Sequence, residues 1–236
     1  MCDVPRRVVS LVPSLTESIA VTCPGVLVGA TDWCTHPADL DVTRLRGTKN
    51  PDIAGVLALA PDLVVVNTEE NRADDIIALG AAGIAVWETD PETVPQALKQ
   101  LRSLLARLGA TRIDWLDEAD RVWGQLLPAI GRPALIPIWR RPWMALGRDT
   151  FAGDVLARIG IDNVLADSTE RYPRIDLALL PSYDLVVLPD EPYSFSASDG
   201  PEAFAAPAAL VSGRHLTWYG PSLAEAPRVL AEQLGA

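Results

Sequence analysis

The 236-residue chain holds 20 basic and 31 acidic residues, a formal net charge of −11, with 49% hydrophobic and 22% charged residues. That balance excludes a disordered chain and argues against nucleic acid and anionic membrane surfaces, which are bound through Lys and Arg. Acidity by itself does no more than favour solubility.

Three cysteines, Cys2, Cys23 and Cys34, are too few and too irregularly spaced for a disulfide framework or a zinc site, and read as free thiols. No run approaches the ~20 apolar residues of a membrane span. A secretory leader needs about 7–15 apolar residues, whereas the run 8–12 stops at Pro13-Ser14. The expectation is a cytoplasmic protein, or a periplasmic or surface-anchored one if a leader has been trimmed.

Taken in chain order, short runs rich in Val, Ile and Leu predict strands at 7–12, 26–30, 63–67, 84–88, 134–138, 185–188 and 215–218. They are continuous rather than alternating, as in parallel sheets covered by helices on both faces. Helix starts are marked by capping boxes at Ser14–Glu17 and Ser222–Glu225, by Asp74 and Asp75 after Asn71, and by Asp90-Pro91-Glu92. Gly83 predicts the end of the helix that begins near 72. From 92 to about 127 the leucines at 98, 101, 104, 105 and 108, then Ile113, Leu116, Ala119, Val122 and Trp123, fall at helical spacing. This predicts about 35 residues of helix, broken near Gly109-Ala110. It reads either as a connector between two lobes or as two ordinary helices on one sheet.

An internal echo favours two lobes. Residues 57–70 and 177–191 each read as a short helix, a Pro, an Asp-Leu-Val strand (with two residues, Ser182 and Tyr183, between the Pro and the Asp in the second copy) and an acidic loop. The fold class is α/β, with two Rossmann-like lobes of parallel sheet joined by a helical connector and a ligand cleft between lobes. The boundaries are 1–91, 92–131 and 132–236.

Ligands of open α/β sheets lie beyond the carboxyl ends of the strands, here the loops 13–16, 31–37, 67–71, 88–90, 148–151, 189–195 and 219–222. Residues 31–37 bring Trp33, Cys34 and His36 together, which reads as a packed loop, as a pocket lining, or as metal ligation by His36 or Cys34. Glu69, Glu70, Asp190 and Glu191 read as solvated carboxylates or as an acid–base pair. The glycine-rich phosphate loops, the GxSxG elbow and the HExxH zinc motif are all absent from the sequence.

Nearly the whole chain resembles the cobalamin-binding proteins of bacterial ABC importers, within the helical-backbone metal-chelate receptors. The resemblance rests on RVVSLVPSLTESI, VGATDWCTHP, GTKNPDI, LALAPDLVVVNTEENR, GIAVWETDPETV, PWMALGRDTFAGDVLARIGIDNVLAD, ERYPRI, DLVVLPDEPYSF and LTWYGPSL in that order. It implies two lobes joined by one long helix and a cobalamin, haem or iron–siderophore ligand, with no cofactor required. Carried over by loop, it implies ligand contacts from Ser14, Trp33, His36, Glu69, Trp87, Asp149, Tyr172, Glu191, Tyr193 and Tyr219. A broad, partly apolar disc with an amide rim suits such aromatic and polar groups. The family docks on its transporter through one Glu per lobe, and Ala54 and Ala178 stand at those places here, which puts that partner in doubt. The expectation is a non-catalytic chelate binder. The alternatives are a small α/β enzyme using cleft carboxylates or Cys34/His36, and a protein-interaction module without ligand.

Overall fold

A computed structural model describes residues 4–125 and 131–235. Cys2 and positions 126–130 of the expected helical segment lie outside the described residues. The chain forms two compact units, residues 1–90, 97–116 and 219–221 in one and 91–96, 117–218 and 222–236 in the other.

The first unit is built on β1 (Val8–Ser10), β2 (Leu27–Ala30) and β3 (Thr43–Arg44), with α1 (Pro13–Thr22) between the first two. A small antiparallel hairpin follows, β4 (Arg46–Gly47) with β5 (Asn50–Pro51). Then come α2 (Ile53–Ala58), β6 (Leu63–Asn67), α3 (Ala73–Ala81) and β7 (Val86–Thr89). The sheet runs β3-β2-β1-β6-β7, all parallel. Val64, Val65 and Val66 are fully buried, which is why this strand reads as a continuous apolar run. The strand order reverses between β1 and β6, so their carboxyl ends flank a topological switch point.

Two helices follow, α4 (Val94–Arg107) and α5 (Asp114–Gly124), rather than one rod, and Gly109 at φ 90° separates them. Leu101, Leu104, Leu105 and Leu116 on them are at most 1% exposed, as the leucine spacing predicts. Within the first unit the Trp115 indole N–H donates to Thr22 Oγ1 at 3.0 Å and ties the start of α5 to the end of α1.

The second unit comprises β8 (Arg132–Leu135), the antiparallel pair β9 (Pro137–Trp139) and β10 (Met144–Ala145), α6 (Phe151–Arg158), β11 (Ile161–Asn163) and β12 (Leu185–Pro189). β13 (Ala208–Val211), α7 (Gly213–Thr217) and α8 (Ala226–Leu234) complete it. Its parallel sheet runs β11-β8-β12-β13, with a switch point between β8 and β12.

Several local expectations are corrected. The strand expected at 215–218 is helix α7, and the edge strand lies earlier, at Ala208–Val211. Ser14 and Glu17 are not a cap but buried residues inside α1, because Pro13, which has no N–H to satisfy, takes the first helical position after Val12. The helix expected from Asp90 begins at Val94, where Thr93 Oγ1 accepts from Gln96 N at 3.3 Å and Gln96 Oε1 accepts from Glu92 N at 2.8 Å. Ser222 sits in a 3-10 turn whose carbonyl accepts from Glu225 N. In the second half of the echo, 177–179 is a turn and not a helix.

Leu104 is fully buried on α4. Replacing it with Ala is expected to destabilise the protein by about 2–5 kcal/mol, read as a lowered midpoint in urea with an unchanged slope.

Candidate functional site

The carboxyl ends of β1, β6 and β7 are held by two buried asparagines and a buried tyrosine. Asn67 Oδ1 accepts from the N–H groups of Glu69 and Glu70 at 2.8 and 3.0 Å and so fixes the turn after β6. Asn71 Oδ1 accepts from Asn67 N at 2.9 Å, and its amide donates to Leu11 O and Thr48 O at 3.3 and 3.0 Å. Asn67 Nδ2 donates to the Tyr219 hydroxyl at 2.9 Å, which lies 2.9 Å from Thr89 Oγ1. Thr89 spends its one hydroxyl hydrogen on Val66 O at 3.0 Å, so Tyr219 is the donor to Thr89. Burial, reinforced by Glu70, pushes the Tyr219 phenol far above the usual tyrosine range, so it stays protonated.

The loop after β2 is pinned in the same way. Cys34 is fully buried, with Sγ 3.1 Å from Thr16 Oγ1 and 3.2 Å from Thr31 Oγ1. Arg44 donates to Thr31 O, Cys34 O and Leu40 O. Burial raises the Cys34 thiol above its ordinary value, the reverse of what a nucleophile needs. Trp33 is 66% exposed. Its indole Nε1 lies 3.3 Å from where a Cβ on Gly47 would stand, so the glycine lets the ring approach the β4–β5 hairpin. His36 is partly exposed, its Nδ1 3.1 Å from Thr35 Oγ1. Glu69 is partly exposed, and its carbonyl accepts from Lys49 Nζ. Trp87 lies half-buried on the edge strand β7, and Ser14 is buried with no hydrogen-bond partner for Oγ among the described residues.

In the second unit, Asp190 Oδ1 accepts from Gly213 N at 2.6 Å, and Glu191 Oε2 accepts from the Trp218 indole N–H at 2.8 Å. A Cβ on Gly213 would stand 2.5 Å from Glu191 Cβ and 2.7 Å from its backbone nitrogen, so only glycine lets α7 come this close. The Tyr193 hydroxyl donates to Asp199 Oδ2 at 2.6 Å, and its ring packs on Phe195 with centroids 4.6 Å apart. Tyr172 belongs to a segment that hydrogen-bonds along β10 and beyond, with Ala145 N donating to Pro173 O and Gly147 N to Arg171 O. Asp149, at φ 50°, pairs with Arg148 at 2.6 Å and borders a hollow of about 460 Å³ that Glu92, Asp154 and Asn163 also line. Two of its rim carboxylates are paired, Asp154 with Arg158 at 2.7 Å and Glu92 with Arg171 at 2.8 Å.

The structure therefore brings Asn67, Asn71 and Thr89, which the sequence reading did not single out, into one network with Tyr219. It groups Tyr193 with Trp139 and Asp199. An Asn closing a continuous apolar strand run, at Asn67 after Leu63–Val66, was the available signal. Among the described residues, no three His, Cys, Asp or Glu side chains are arranged to hold a metal ion, and no helix is long and apolar enough to cross a membrane.

Two parallel sheets, each ordered around its own switch point, make this a two-unit α/β fold. The fold is that of the periplasmic vitamin B12 binding protein BtuF of Vibrio cholerae, with a TM-score of 0.77 at 16% identity over 98% of this chain and 97% of that one. It is also that of a periplasmic haem-binding protein from Pseudomonas aeruginosa, with a TM-score of 0.75 at 22% identity over 98% and 94%. In sequence the chain is 25% identical over 186 residues, 73% of its length, to the vitamin B12-binding protein of Pectobacterium atrosepticum. The chain spans 66% of the length of that relative, and of its counterpart in Pectobacterium carotovorum, to which it is 24% identical. No family model matches the chain. These likenesses bear out the resemblance to cobalamin-binding proteins and the α/β fold class. They overturn the cytoplasmic expectation, because the matched B12- and haem-binding structures are of periplasmic proteins.

Two outcomes follow from this geometry. Tyr219→Phe leaves the Asn67 amide without its acceptor and is expected to cost about 1–3 kcal/mol, measured by urea unfolding. Cys34 is expected to resist iodoacetamide at pH 8 in the folded protein and to react once urea is added, as peptide mass spectrometry reports.

Proposed function

We propose that the chain binds one metal chelate of the corrinoid or haem class in the periplasm and releases it chemically unchanged. The observation that carries this reading is the fold likeness to B12- and haem-binding proteins over nearly the whole chain, joined to the sequence similarity to B12-binding proteins. The chelate is ligand, not catalytic cofactor. Trp33 offers an exposed indole face, and His36 a partly exposed imidazole suited to an axial position on a bound metal. Glu69, Trp87, Asp149, Tyr172, Glu191 and Tyr193 are part of the proposed contact set. Ser14 and Tyr219 support it from the interior, since Tyr219 is 4% exposed with its hydroxyl fully engaged.

The chemistry of the loops supports binding over catalysis. The Cys34 thiol is buried and raised, and the carboxylates of Asp190 and Glu191 accept hydrogen bonds from their own chain. The proposal assigns no permease contact to positions 54 and 178, both exposed alanines.

Titration with cyanocobalamin and, separately, haemin tests this, with tryptophan fluorescence and the visible spectrum as readouts. Saturable quenching at one equivalent of either chelate is expected, and a visible band that reverts in His36→Ala marks that imidazole as axial ligand. No response to either chelate from the folded protein overturns the proposal.

A further inference from the structure

Trp139 ends β9, immediately beyond the carboxyl end of β8 and beside the loop that follows β12. Those two strands are neighbours at the switch point of the second unit's sheet, the place where open α/β sheets receive ligands. The indole is 42% exposed, an unusual outlay of apolar surface for a residue so placed. It is nevertheless braced. Its ring meets the Tyr193 ring edge-on, with centroids 5.6 Å apart and planes at 79°. The Tyr193 hydroxyl is held by Asp199, which also pairs with Arg140, the residue after Trp139. Arg140 reaches Glu202 at 2.6 Å and lies 5.2 Å over the Trp143 ring, which stacks on Phe195. An exposed indole packed against a tyrosine that is itself held has less rotamer freedom to lose when a ligand arrives, which lowers the entropic cost of using it.

From this geometry we infer that Trp139 is a stacking contact for the flat face of the bound chelate and sets affinity in the second unit. The inference rests on the proposed chelate binding and adds a residue to it. A planar π system or corrin face laid against a fixed indole gains dispersion and excludes water on both sides.

The test compares wild-type protein with Trp139→Ala and Trp139→Phe, titrated with cyanocobalamin and with haemin, each variant also melted thermally. Trp139→Ala is expected to weaken the chelate that the wild type binds by about tenfold, equivalent to ~1.4 kcal/mol. Trp139→Phe should recover most of that loss, and both variants should keep a cooperative melt lowered only by the weakened edge contact with Tyr193. A wild type that binds while Trp139→Ala binds equally well overturns this inference and leaves the proposed function standing. A wild type that binds neither chelate overturns both.

Discussion

The first unit depends on one hydrogen-bonded chain that starts at an amide and ends at a strand carbonyl. Asn67 donates to Tyr219, Tyr219 to Thr89, and Thr89 to Val66 O. Every hydroxyl in it has one hydrogen and spends it once, so the direction of the chain is fixed by donor counting. Tyr219 reaches the chain from more than 120 residues away in sequence, with separations of 152 to Asn67 and 130 to Thr89. The late segment 219–221 is thereby part of the first unit. In a dry interior each of these bonds is costly to leave unmade, which makes the network all-or-none.

The same network arranges the loops that a ligand would meet. Asn67 and Asn71 close the turn after β6 and tie it to the end of β1 and to the β4–β5 hairpin. Arg44, Thr16 and Thr31 do the equivalent for the Trp33–His36 loop, using backbone carbonyls and a buried sulfur. In the second unit Asp190, Glu191 and Asp199 hold α7, Trp218 and Tyr193. The polar groups of these loops are engaged in hydrogen bonds that hold the loops still. Loops ordered in advance lower the entropic cost of any ligand they meet.

Much of the architecture was legible in the sequence because buried parallel strands leave an unmistakable run. The predicted 63–67 strand is found with those bounds, and the leucine spacing before and after Gly109 marks two real helices. The failures are of three physical kinds. Ser-x-x-Glu patterns at 14–17 and 222–225 were outcompeted by prolines at 13 and 221, whereas the working pattern at Thr93–Gln96 was passed over. His215–Trp218 is apolar enough for a strand, yet Ser212-Gly213 before it starts a helix. Candidate residues could be read from the sequence where a loop carries an aromatic or charged group, such as Trp33 and Glu191. What the sequence could not show is structural neighbourhood between residues distant in the chain, as with the partners of Tyr219, or on an unassigned short hairpin, as with Trp139.

The most direct test of the account is equilibrium dialysis of the purified chain against cyanocobalamin and against haemin, with the retained chelate recovered and analysed by chromatography and mass spectrometry. The account predicts retention of one equivalent of one of them, released on unfolding with its mass and spectrum unaltered. Failure to retain either, or recovery of a chemically altered chelate, contradicts it.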